Sequence, residues 1–185
     1  MIYNYKSLSK HSYLSYNYFI MKKSLLSSLL LWALILSWCG WSSNVVEYND
    51  TLVSIVKECT DSNHELFETF QANWSTIDSI ADALQTNIDM CNEAKEKAIE
   101  LWDYDKDSSL KDAVVDLLSM EVEYLEKFWS TSHYRNVDDL TDEDKAEYDS
   151  VVNDLNESQE LLNQQFTNLQ EAQEAFAAKH ELKLE

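Results

Sequence analysis

The stretch Tyr48–Phe70, YNDTLVSIVKECTDSNHELFETF, decides the fold class. Tyr48, Leu52, Ile55, Val56, Cys59, Leu66, Phe67 and Phe70 recur at steps of three and four. That spacing lays one apolar stripe along an α-helix, because 3.6 residues complete a turn. Asn63 falls on the stripe and interrupts it. A helix with one apolar face cannot bury that face alone, so the chain must supply partners.

Three further segments supply them. Ile77, Ile80, Ala81, Leu84, Ile88, Cys91, Ala98 and Ile99 make a second stripe. Asn73-Trp74 ends the first helix, and Ser75 or Thr76 can cap the second. Leu110, Val114, Leu117, Leu118, Leu125 and Phe128, with Tyr124 alongside, make a third stripe, capped by Ser108 or Ser109. Residues 130–139 form the longest loop. Thr141 caps the fourth helix, with Asp142, Glu143 and Asp144 at the positive end of its dipole. Its stripe is Tyr148, Val151, Val152, Leu155, Leu162, Phe166, Leu169 and Phe176. With no Pro to stop it, this helix can reach His180 and is longer than its partners, so it overhangs, bends or frays. No strand pattern occurs. The expected fold is all-α: an up-down four-helix bundle over residues 48–185, following a lipoprotein signal peptide and a short tether. A helical hairpin that completes its core by oligomerising is the alternative.

The cysteines fit the same geometry. Cys59 lies 16 residues before Ser75 and Cys91 lies 16 after it. In an antiparallel hairpin equal distances from the turn mean equal heights, and both cysteines face the shared core. The spacing predicts a Cys59–Cys91 disulfide, which an exported chain would form in an oxidising compartment. Neither has the Cys-x-x-Cys spacing of a redox or zinc site.

Upstream of the helices, Met21-Lys22-Lys23 is a positive n-region, and Leu25 to Leu36 is an uncharged, largely apolar run. Twelve residues suit a secretory signal and fall short of the roughly 20 that span a bilayer. The run ends in Leu36-Ser37-Trp38-Cys39, which resembles the bacterial lipobox. The resemblance implies that Leu36, Ser37 and Trp38 form the signal-peptidase recognition site. The Cys39 thiol takes a diacylglycerol, and cleavage makes Cys39 the first residue. Residues 21–38 are then the signal peptide, and 39–47 the acylated Cys and tether. Residues 1–20 read as translated upstream sequence ahead of a start at Met21, or as a long leader.

Trp38 departs from the lipobox, where a small residue precedes the cut. The chain has six Trp, one Gly and no Pro, against an average of about a dozen Gly for this length. Trp32, Trp38, Trp41, Trp74, Trp102 and Trp129 sit where Gly would be ordinary, the last three between apolar-periodic segments. The expectation is that UGA codons read as Gly in some bacteria stand here as Trp.

All 34 acidic residues follow residue 38, and four of the 14 basic ones precede it, so the chain from Cys39 carries −24. That charge argues against nucleic acid and against anionic headgroups. No Glu-x-x-His pair suggests a di-metal bundle, and His11, His64, His133 and His180 share no helical spacing. Asp103-x-Asp105-x-Asp107 resembles the start of an EF-hand loop, a weak calcium candidate. Ser108 replaces the loop's Gly, and Val114 its bidentate Glu. No glycine-dependent nucleophile elbow or phosphate loop is present. The residues therefore indicate no catalytic site, cofactor or resident metal.

Tyr48-Asn49-Asp50-x-Leu52-Val53 and Ala172-Gln173-Glu174-Ala175-Phe176-Ala177-Ala178-Lys179-His180 resemble the two end signatures of a family of bacterial surface lipoproteins without an assigned activity. The resemblance implies location and a helical body, with no catalytic residues to carry over. The expected protein is a binding or structural module, not an enzyme, held at the extracytoplasmic face of a bacterial membrane by the lipid on Cys39. Its partner would be a protein or a cell-envelope component. The alternative is a ligand- or cation-binding lipoprotein serving a membrane partner, with Asn63 and Gln159 or Gln165 as its polar groups.

Overall fold

A computed structural model describes the backbone of residues 43–72, 77–132 and 140–182, and the side chains of 44–66, 81–130 and 140–182. The lipobox with Cys39, the interhelix residues around Trp74 and the loop at His133 lie outside the described residues. Four helices follow in order: α1 Ser43–Ala72, α2 Ile77–Glu100, α3 Ser109–Ser132 and α4 Asp142–Lys179. Among the described residues there is no strand, and no helix is long and apolar enough to cross a membrane.

The helices pack as a bundle in which α3 is central. It lies against α2 and α4 most extensively and also touches α1. Glu58 meets Lys97, Cys59 meets Cys91 and Ser62 meets Asn87, so α1 and α2 run in opposite senses. The core is one cluster: Val45, Tyr48, Leu52, Ile55, Val56, Cys59 and Leu66 from α1; Leu84, Cys91, Ala94 and Ala98 from α2; Leu110, Val114, Leu117, Leu118, Val122, Tyr124, Leu125 and Phe128 from α3; Leu162, Leu169 and Phe176 from α4. The α2 face is narrow and built of small side chains, which lets α1 approach closely. The Cα atoms of Cys59 and Cys91 are 4.7 Å apart.

Helix ends follow local chemistry. Thr141 and Asp144 form a reciprocal capping box on α4. The Ser108 carbonyl accepts from Asp112 N at 2.7 Å, which starts α3. At the far end of α4, Leu182 N donates to the Ala177 carbonyl and Glu181 N to that of Ala178. Glu181 has φ 56°, so this is a Schellman stop with Glu where Gly is usual. Between α2 and α3, Asp107 N donates to the Tyr104 carbonyl, with Asp105 and Lys106 at φ 51° and 60°. Two successive positive φ values make a type I′ turn, which an Asp tolerates better than a Lys.

Four expectations need correction. The chain is already helical at Ser43, so residues 43–47 belong to the bundle and not to the tether. Val45 is the cause: it sits one turn before Tyr48 and is buried with it. Ile99 is 54% exposed, and Ala94 takes its place on the α2 stripe. Trp129 lies inside α3 and packs against the core, so it marks no helix end. On α4 no residue before Ser158 is buried; Tyr148, Val151, Val152 and Leu155 are only half covered. At 1.5 Å per residue α4 is roughly 57 Å long and α2 roughly 36 Å, so α4 outruns its neighbours.

Candidate functional site

Besides Ser158 and Gln159 on α4, polar groups are buried at two levels of the bundle. The first surrounds the Cys59–Cys91 disulfide, whose halves are both fully buried. Asn63 stands one turn after Cys59 and is buried with it. Its Nδ2 donates to Glu121 Oε2 of α3 at 2.9 Å and lies 3.7 Å from Cys59 Sγ. Its Oδ1 accepts from Asn87 Nδ2 of α2 at 3.2 Å. Asn87 also donates to the Ser62 carbonyl at 2.8 Å, and Ser62 Oγ donates to Asn87 Oδ1 at 2.7 Å. One polar layer thus joins three helices, with Asn63 at its centre.

Glu121 is the chemically unusual member. It is 6% exposed, and no cation pairs with it among the described residues. Burial raises its carboxyl from the ordinary carboxylate range to about 7, against the lowering effect of the Asn63 hydrogen bond. Burial, and next the Glu121 charge, push the Tyr124 phenol far above its usual value. Glu121 was not singled out in the sequence, although it stands three after Leu118 and four before Leu125, on the α3 stripe. The signal was an acidic residue at an apolar position.

The second level closes the end of the bundle where α1 begins. Tyr48 is 1% exposed and its ring lies 5.4 Å from Tyr104, 5.7 Å from Phe176 and 6.0 Å from Trp102, centroid to centroid. His180 packs edge-on to Tyr104 at 5.0 Å and on Phe176 at 4.6 Å. Neither the Tyr48 hydroxyl nor His180 Nε2 makes a well-formed hydrogen bond. Burial raises the Tyr48 phenol, with Lys111 the largest opposing influence. Beside the rings, Gln173 Nε2 donates to Asn49 Oδ1 at 3.2 Å. Tyr48 and Asn49 of α1 therefore sit on Phe176 and Gln173 of α4.

The acidic loop does not assemble as a calcium site. Asp107 Oδ2 accepts from Lys179 Nζ at 2.7 Å, and its Oδ1 from the Ser109 amide at 3.0 Å and hydroxyl at 2.7 Å. Those bonds, the Lys179 one first, hold its carboxyl far below the ordinary range. Asp103 is paired with Lys111, which also donates to the Leu101 carbonyl at 3.1 Å. Ammonium groups from α3 and α4 thus take the place a cation would need. Among the described residues no three His, Cys, Asp or Glu side chains converge as metal ligands. Of the polar candidates, Asn63 and Gln159 are buried and Gln165 is half-buried.

One pairing has the outline of a nucleophile with its base. Lys127 Nζ donates to Ser158 Oγ at 2.5 Å. Ser158 is fully buried, however, and Lys127 also pairs with Glu123 at 2.7 Å. With its hydroxyl inaccessible, the pair fastens α4 to α3. Comparison with protein-family models, curated proteins and solved structures finds no match to the chain.

Proposed function

We propose that this chain is a lipoprotein, held by a diacylglycerol on Cys39 at the extracytoplasmic face of a bacterial membrane, where it acts as a non-enzymatic binding or structural module. We infer an up-down-up-down arrangement for its four helices. The observation that carries the reading is the order Met21-Lys22-Lys23, an uncharged apolar run, Leu36-Ser37-Trp38-Cys39, and then helix from Ser43. Only Gly40, Trp41 and Ser42 separate Cys39 from α1, roughly 10 Å of extended chain. The bundle would then stand with its aromatic end towards the membrane. The burial of polar groups in helix-to-helix pairs supports a structural or docking role. So does the high negative charge, which keeps the exposed faces soluble and apart from acidic surfaces. The partner would be a protein or another component of the envelope.

Cys39→Ser tests this. The variant loses incorporation of a labelled fatty acid and moves from the membrane fraction to the soluble fraction. Wild-type protein that stays in the membrane without a label would overturn the lipid anchor, in favour of an uncleaved transmembrane segment.

A further inference from the structure

We propose that Glu121 is a proton-controlled latch: neutral, it lets α3 pack on the disulfide-linked α1–α2 pair, and ionised, it loosens that contact. The geometry that carries this is a carboxyl 6% exposed at the junction of three helices, with a hydrogen bond from Asn63 and, among the described residues, no cation. A carboxylate in such a place lacks the hydration it would have in water, and one amide donor replaces only part of it. The disulfide ties α1 to α2, so the movable partner is α3.

The groups around it fix the sign. From α1 it meets the Asn63 amide, and beyond that amide lies the Cys59–Cys91 bridge, which does not titrate. From α2, Asn87 reaches it through Asn63. On α3 itself Tyr124 stands one turn away, its phenol raised far from neutrality and uncharged. No charged group of α4 acts on it among the described residues. The Asn63 hydrogen bond opposes the burial but does not outweigh it, and the carboxyl moves from 4.5 to about 7. A carboxyl raised on folding favours the closed form fully below its unfolded value, and that advantage is lost as pH rises through the folded one. The window lies between about 4.5 and about 7. The Asn63–Asn87–Ser62 chain leads from the carboxyl to the half-buried Ser62, so the layer connects with the surface. The latch rests on the helices alone and stands whether or not Cys39 is acylated.

Amide hydrogen exchange of the full chain tests the latch, with each rate corrected for the intrinsic pH dependence. The opening constant for amides of α3 near Glu121 should rise about tenfold between about pH 6 and about pH 8, and stay level in Glu121→Gln. An equal rise in the variant, or no rise in wild type, would overturn the proposal. A carbon-13 titration of the wild-type carboxyl needs no variant and decides the matter if Glu121→Gln does not fold. A midpoint near neutrality that coincides with the exchange profile supports the latch; a midpoint in the ordinary carboxylate range overturns it.

Discussion

Replacing Cys59 and Cys91 together by Ala lowers the unfolding free energy by roughly 3–4 kcal/mol. The bridge spans a sequence separation of 32. In the chain-entropy account a cross-link of that span restricts the unfolded ensemble by about this amount. Against a typical net stability of roughly 5–15 kcal/mol, that is a large fraction for a bundle of this size. The effect does not end with entropy. The bridge holds α1 and α2 close enough for Asn63 to reach Asn87 and Glu121 together. Without it the close approach over Ala94 and Ala98 has no clamp, and the polar layer gains freedom to open. Urea unfolding of wild type, oxidised and reduced, beside the double variant measures the loss. Reduced wild type should fall close to the variant. A loss below about 1 kcal/mol in both would mean that the bridge constrains little.

Tyr48→Ala should be similarly costly, about 3–5 kcal/mol, as for large aromatic side chains removed from a core. Tyr48 joins elements distant in sequence: α1 at its first turns, Trp102 and Tyr104 of the α2–α3 connection, and Phe176 near the end of α4. Its removal leaves a hole that all three line. Tyr48→Phe is the discriminating partner. The hydroxyl is buried with no well-formed hydrogen bond, so its loss should change stability by less than about 1 kcal/mol, or raise it. Thermal or urea unfolding of the two variants separates the readings. A Phe variant as unstable as the Ala variant would show that the hydroxyl is held by a strong bond.

Much of this fold is written locally. The steps of three and four gave the four helices, and Thr141 with Asp144 marked where α4 starts. The height of Cys59 and Cys91 followed from counting outward from one turn, because helical rise is regular. The parts that were not legible depend on distant partners. Nothing near Asn49 says that Gln173, 124 residues on, bonds to it. Nothing in the acidic loop says that Lys179 will reach Asp107 across 72 residues. Glu121 escaped because a stripe is traced through apolar residues, and an ionisable one on the same face reads as a break. The burial of Ser158 and Gln159, in place of Tyr148 and Val151, reflects the length of α4 relative to its neighbours, which no window of its own sequence contains. The start of α1 at Ser43 also escapes a stripe traced from Tyr48, although Val45, one turn earlier, is buried with it.

Intact-mass analysis of the protein taken from the membranes of its native host tests the central claim most directly. The account predicts a chain that begins at Cys39 and carries a diacylglycerol there, with Cys59 and Cys91 two hydrogens lighter than free thiols. Each of Trp41, Trp74, Trp102 and Trp129 decoded as Gly would remove roughly 129 Da, the difference between an indole side chain and none, which sets it apart from any lipid increment. A chain that begins at Met1 or Met21 with an unmodified Cys39 would contradict the account.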